Sequence, residues 1–217
     1  MNTQLRFPRG LYGITPEWLN TDQLVTAITE AAQGGMVALQ WRRKSGTYSE
    51  HLQEALTLAK CCNQHGVLFI INDSLPLALA SHADGVHLGR GDGSLAEARK
   101  ALGPSRIVGC SCYNEPELAR KALDQDVDYI AFGAMYPSSV KPGAVMATLD
   151  TLREGRRLVQ GQGKTPRAAV VAIGGITAEN AAAVIQAGAD SIAVISGLFK
   201  VPDVLAAASR CQALFNA

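Results

Sequence analysis

The chain has almost no net charge, since 20 lysines and arginines stand against 19 aspartates and glutamates, a formal balance of +1. No global basic field therefore exists to attract nucleic acid, and the longest positive cluster, Arg42-Arg43-Lys44, is too short for a binding arm. Also absent is any run near the ~18 apolar residues of a membrane span. Met1 to Gly10 is polar, with two arginines and no apolar h-region, so neither membrane insertion nor secretion is expected. The five cysteines (Cys61, Cys62, Cys110, Cys112 and Cys211) include no C-x-x-C pair matched to a second pair or to histidines, which argues against zinc. Reduced thiols and a cytoplasmic protein are expected. Composition breaks in one place only, the glycine- and proline-bearing stretch Gln160 to Arg167, which reads as a solvated loop. A boundary there would leave about 50 residues behind it, too few for a stable core, so one domain over residues 1–217 is expected.

What the chain does have is a hydrophobic fraction of 47% beside 18% charged residues, enough for a real core. Short apolar runs recur in strand, turn, helix order: Leu11 to Thr15, Val37 to Arg42, Leu68 to Asp73, Gly85 to Gly89, Ile107 to Ser111, Tyr129 to Gly133, Val170 to Gly175 and Ser191 to Ser196. Between them apolar residues take helical spacing, as in Leu24, Ala27, Ile28 and Ala31. Eight such alternations imply an α/β protein with a parallel sheet covered by helices, most simply a single (β/α)₈ TIM barrel, with an open doubly wound sheet as the alternative. An internal echo (Gly34-Gly35-Met36, Ala83-Asp84-Gly85, Gly188-Ala189-Asp190) joins helix ends to strands through small residues; it partly reflects helix capping and supports repeated βα units.

In a barrel the active site collects at the carboxyl ends of the strands. The second run ends Gln40-Trp41-Arg42-Arg43-Lys44, and period-two alternation puts Gln40, Arg42 and Lys44 on one side, Trp41 and Arg43 on the other. A guanidinium and an ammonium suit a phosphate or diphosphate; a solvated charge cluster is the alternative. Asn72-Asp73 and Gly89-Arg90-Gly91-Asp92 put two carboxylates at neighbouring strand tops, a set that fits Mg²⁺. Asp73 could equally cap a helix, and Asp92 could hold a turn. Tyr136 to Gly143 offers the hydroxyls of Ser138 and Ser139, with Val140 and Lys141, as an anion clamp or an ordinary loop. Gly174-Gly175-Ile176-Thr177 and Ile195-Ser196-Gly197 close the seventh and eighth units, where barrels commonly build a phosphate site, with Thr177 available as a helix cap. Ser111 is a strand-end hydroxyl suited to a ligand. His87 lies inside an apolar run and reads as a hydrogen-bonded core histidine without an assigned role.

Together these motifs resemble the thiamine phosphate synthase family, in order and over nearly the whole chain, from Leu11-Tyr12-Gly13-Ile14-Thr15-Pro16 to Ile195-Ser196. The resemblance implies a (β/α)₈ barrel that joins a pyrimidine diphosphate to a thiazole phosphate with Mg²⁺, releasing pyrophosphate. It carries the family's Q-x-R-x-K motif onto Gln40, Arg42 and Lys44, and its N-D pair onto Asn72 and Asp73. Asp92 becomes the second magnesium ligand, while Ser111 and Lys141 match the family serine and loop lysine. Catalytic roles so implied fall on Arg42, Lys44, Ser111 and Lys141. Gly175, Ile195 and Ser196, with Ser138, Ser139 and Val140, complete the substrate-binding set. The chain departs from the family's G-Q-x-D at Arg90 and from its P-T-x-T-K at Val140. Loss of the second loop hydroxyl removes about one hydrogen bond, ~0.5–1.5 kcal/mol.

Three other readings share these features. A thiazole tautomerase would want a histidine shortly after the sixth strand, and Phe132 to Tyr136 contains none. A silent binding module for thiamine precursors would show no turnover, and a sugar-phosphate isomerase would not need Asp73 and Asp92 together. Small-molecule substrates are the expected partners; the number of subunits is left open.

Overall fold

The computed structural model describes residues 4–18, 20–137, 143 and 145–216. Its strands are β1 Gly10–Ile14, β2 Met36–Trp41, β3 Leu68–Asn72, β4 Gly85–Leu88, β5 Ile107–Tyr113, β6 Tyr129–Phe132, β7 Ala169–Ile173 and β8 Ser191–Val194. They close in sequence order into a parallel barrel, β8 pairing with β1. The crossovers are α1 Thr21–Gln33, α2 Tyr48–Gln64, α3 Leu75–Ala80, α4 Leu95–Leu102, α5 Pro116–Asp124, α6 Leu149–Gly161 and α7 Ala181–Gln186; α8 Ser196–Phe199 and α9 Val204–Ala213 follow the last strand. The protein is thus a (β/α)₈ barrel, not an open sheet. No helix among the described residues is long and apolar enough to cross a membrane.

Helix starts follow from polar side chains that accept orphan amide protons. Asn20, Ser94 and Asp203 cap α1, α4 and α9, and Thr47 with Glu50 builds a capping box on α2. α6 begins the same way, at Thr148 and Thr151, and it runs through Gly161, so the expected loop at Gln160 starts two residues late.

Strand alternation sorts the side chains into two cores. Outward-facing residues such as Leu39, Ile71, Val108 and Ile192 pack under the helices. Inward-facing ones, Tyr12, Ala38, Ile70, Tyr129, Val171 and Ala193, fill the barrel. Phe7, fully buried, plugs the amino-terminal end with its ring 5.0 Å from Tyr12 and 4.5 Å from Tyr129. Gly109 makes room for this layer, because a Cβ there would lie 2.0 Å from the Tyr129 ring.

The echo has a physical basis beyond capping. Asp84, Asp128 and Asp190 stand immediately before β4, β6 and β8, and each accepts a hydrogen bond from an amide of the preceding strand: Phe69 at 2.8 Å, Val108 at 2.6 Å and Val170 at 2.9 Å. Their own carbonyls accept from Ile107, Ala169 and Gly10 on the next strand around the barrel. One aspartate therefore ties three strands at each of these positions, and the Asp128 copy is visible in the sequence only once its place is known.

Candidate active site

At the end of β2, alternation behaves as expected. Trp41 points outward and donates to Glu54 at 2.9 Å, while Arg43 pairs with the other oxygen of that carboxylate at 2.9 Å. Gln40 points into the barrel, 4% exposed, and donates from Nε2 to the Tyr12 hydroxyl at 2.8 Å. The strand stops at Trp41, so Arg42 and Lys44 lie on the loop above it. Thr15 accepts the Arg42 amide at 2.9 Å, and the guanidinium reaches Glu17 at 3.2 Å. Lys44 is exposed and engaged by no other described residue.

Asn72 ends β3 and donates to Asp73 at 2.6 Å. Asp73 takes a φ of 63°, a left-handed conformation that aspartate tolerates better than most residues. It does not cap α3; Ser74 does, accepting from Leu77. Its carboxylate is thereby left for something else, and it shares a hydrogen bond with Asp92. Asp92 does hold its turn, accepting from the Gly89 amide at 2.9 Å, so both readings of that residue apply. Burial, that bond and the negative charge of Asp92 push the Asp73 carboxyl up to about 6, against the pull of Asn72 and Arg42.

A raised acid penalises the folded state wherever it must ionise. The penalty is complete above about 6, the folded value, and gone below the ordinary carboxylate range near 4. Asp73→Asn is therefore expected to raise the melting temperature of metal-free protein at pH 8, with the gain shrinking as pH falls through 6 and vanishing below about 4. Thermal unfolding in EDTA across that range checks it; a gain that persists at pH 4 would assign the effect to something other than charge.

Arg90, a departure from the resembled motif, pairs with Glu115 at 2.6 Å and lies 5.2 Å over the Tyr113 ring. It joins the β4 loop to the β5 loop.

The β7 and β8 loops form a second zone. Gly174 and Gly175 have φ of 101° and 62°, and a Cβ on Gly175 would stand 2.6 Å from the Pro137 carbonyl. Asn180 braces this turn, accepting from the Thr177 amide at 2.9 Å and donating to the Gly175 carbonyl at 3.0 Å. The expected side-chain cap by Thr177 does not form: α7 starts at Ala181, and the loop is held by Asn180 instead. Gly175, Thr177, Ile195 and Ser196 line a cavity of about 230 Å³. The Ser196 hydroxyl is buried and finds no hydrogen-bond partner among the described residues.

A polar chain crosses the barrel interior, in which His87 is the hydrogen-bonded core histidine expected, while the links through Tyr12 and Tyr129 were not foreseen. His87, 7% exposed, sits with one ring nitrogen 2.8 Å from the Tyr129 hydroxyl and the other 2.8 Å from Ser111. Tyr129 meets Tyr12 at 2.9 Å, and Tyr12 meets Gln40. Burial drives the His87 imidazole down to about 4, outweighing the charge of Asp92. The available signal was period-two phase, which puts His87 in the inward set with Gly85. Ser138, Ser139, Val140 and Lys141 lie outside the described residues.

Carboxylates, cations and a glycine turn gathered at the carboxyl ends of a closed parallel sheet define a (β/α)₈-barrel enzyme. A profile of the family described as Thiamine monophosphate synthase matches residues 11–198. The thiamine-phosphate synthase of Bordetella avium is 54% identical over 99% of this chain and 98% of its own length. That of Thiobacillus denitrificans is 47% identical over 97% of both. The thiamine phosphate pyrophosphorylase structure from Pyrococcus furiosus matches with a TM-score of 0.82 at 33% identity, covering 97% of each chain. The chain belongs to the thiamine monophosphate synthase family: it is an enzyme of that type, a transferase of thiamine biosynthesis acting on small molecules.

Proposed function

We propose that the enzyme joins 4-amino-2-methyl-5-hydroxymethylpyrimidine diphosphate to 4-methyl-5-(2-phosphoethyl)thiazole, or its carboxylated form, releasing thiamine monophosphate and pyrophosphate. The observation that carries this reading is the meeting of Asp73 and Asp92. A carboxylate whose proton affinity is raised by burial and by a second carboxylate beside it, at the mouth of a barrel, marks a site for a hard cation. Among the described residues no third Asp, Glu, His or Cys joins them. That suits Mg²⁺, which retains waters and takes its remaining oxygens from a diphosphate. When bound there, it supplies positive charge to the departing pyrophosphate.

The chain's own residues do the rest. Arg42, whose charge acts on Asp73, and Lys44 on the loop after β2 take the diphosphate oxygens, a role also assigned to Lys141. Asn72 orients Asp73 through its 2.6 Å bond. As carbon–oxygen cleavage proceeds, the electron-rich aminopyrimidine carries the cation on its methylene, and the thiazole nitrogen then captures it. No protein nucleophile is required, and Cys110 and Cys112 face the outer core, away from the barrel interior. The thiazole phosphate occupies the β7–β8 cavity, against the Gly175 turn, Ile195 and the uncommitted Ser196 hydroxyl. Holding both substrates in one water-poor space supplies much of the remaining rate.

The test is release of pyrophosphate from the two substrates with Mg²⁺ and with EDTA. Equal amounts of pyrophosphate and thiamine monophosphate, both lost in EDTA, support the proposal; binding without turnover overturns it in favour of a silent module. Ser196→Ala is expected to raise KM for the thiazole phosphate about five- to tenfold, the worth of one hydrogen bond, with kcat little changed. Its melting temperature should hold or rise slightly, because the lost hydroxyl has no partner in the free protein. Steady-state kinetics beside thermal unfolding measure both.

A further inference from the structure

Five buried or half-buried polar side chains cross the barrel interior from β2 to β5, and their order fixes which atom donates at each step. Gln40 Nε2 carries only protons to give, so the Tyr12 hydroxyl accepts at 2.8 Å. Each tyrosine hydroxyl has one proton. Tyr12 therefore spends its own on Tyr129, 2.9 Å away, and Tyr129 spends its own on His87 Nδ1 at 2.8 Å. Nδ1 must then be the bare nitrogen of the ring, which places the imidazole proton on Nε2, 2.8 Å from Ser111 Oγ. Ser111 accepts that proton, and His87 is its one hydrogen-bond partner among the described residues. The serine proton is left pointing elsewhere.

We propose that His87 is a positioning residue of this active site, which holds the Ser111 hydroxyl as a one-way hydrogen-bond donor to substrate. The proposal rests on the reading of Ser111 as a substrate-facing residue. The chain permits no mixture at its end. A positively charged His87 would put a proton on Nδ1 as well, so that Tyr129 would meet two donors and its own proton would have no acceptor. A neutral ring with its proton on Nδ1 would present a lone pair to Ser111 and draw the serine proton inward, away from a ligand. Burial of the four members from Gln40 to His87 makes either arrangement costly, because an unpaired Tyr129 proton there has no water to turn to. The flat ring of His87 is also stacked on Tyr129 with 19° between their planes, which limits its rotation. Packing and proton order thus lead to the same orientation.

Two measurements test this on the intact enzyme. Nitrogen NMR of the ring in wild-type protein at pH 7.5 is expected to show His87 neutral, protonated on Nε2; protonation on Nδ1, or on both nitrogens, overturns the proposal without any variant. The second is a double-mutant cycle on kcat/KM. His87→Leu and Ser111→Ala should each lower it about five- to tenfold, and together no further than Ser111→Ala alone, since without the hydroxyl there is nothing left to orient. His87→Gln, which keeps a donor near the Nε2 position, should recover part of the loss. Independent, multiplying effects would mean that His87 acts only through folding, and would overturn the positioning role. Ser111→Ala with unchanged kcat/KM would instead sink the reading of Ser111 on which the proposal stands, an outcome separate from the other two.

Discussion

Asp92→Asn is expected to lower kcat by about 10²- to 10³-fold while leaving the barrel folded. The amide retains an oxygen for the Gly89 amide, so the turn that Asp92 closes at 2.9 Å survives. What disappears is one of the two negative charges facing the proposed Mg²⁺. Metal stabilisation of a leaving group contributes several kcal/mol, and each 1.36 kcal/mol is about tenfold in rate. The same change relieves Asp73 of its like-charged neighbour, so the metal-free variant should melt slightly above the parent at pH 8. Lost turnover with unimpaired or improved stability is the signature of a site that holds repulsion for the sake of a ligand. Kinetics over a Mg²⁺ titration, with thermal unfolding in EDTA, measure both. A kcat within tenfold of the parent and an unchanged Mg²⁺ dependence would remove Asp92 from the metal site.

The eight-unit alternation was legible because buried parallel strands are near-continuous apolar runs, and the structure shifts their ends by two residues at most. Only β5 runs longer than expected, continuing two residues to Tyr113 through an irregular pairing between Ser111 and Tyr113 that no local pattern announces. The positions of Gln40, Asn72, Asp73, Ser111 and Gly175 at or just past strand ends were legible for the same reason, since they follow from where apolar runs stop. What sequence could not supply were partners remote in the chain. Tyr12 and Tyr129 are 117 residues apart, and nothing in either run indicates that their hydroxyls meet. Phe7 sits in a polar-looking first segment yet plugs the barrel floor. Thr177 looked like a cap because threonine commonly is one, while the geometry of the glycine turn gave that loop to Asn180. Asp73 shows the opposite case: its φ of 63° and release from capping duty are structural facts, and they are what frees it for Asp92.

The largest loss of stability is expected at Asp190, on the far side of the barrel from the chemistry. Its carboxylate receives two bonds from Arg167, each 2.8 Å, one from Arg156 at 2.7 Å and one from the Val170 amide at 2.9 Å. Arg167 and Asp190 are 4% and 3% exposed, and the Arg167 Nε has no partner among the described residues. Removing the acid would strand a guanidinium in the floor of the protein. Breaking a buried pair in this way costs about 3–5 kcal/mol, whereas the exposed Arg153–Asp150 and Arg157–Glu154 pairs contribute about 0–1 kcal/mol each. For a chain of this size Asp190→Ala should therefore lower the melting temperature by about 6–20 °C at pH 7. Burial raises the Asp190 carboxyl, but the Arg167 and Val170 bonds and the two guanidinium charges outweigh it and hold it below the usual carboxylate value. A depressed acid stabilises fully above its unfolded value, near 4, and loses that contribution as pH falls through the folded value. The gap between parent and variant should accordingly be complete at pH 7 and begin to close below about pH 4. Asp190→Leu combined with Arg167→Met should recover much of the loss, since an apolar pair leaves no stranded charge. If the double variant melts as low as Asp190→Ala, the stabilisation belongs to the Val170 bond that ties β8 to β7, and with it the register that sets Ser196 beside Gly175.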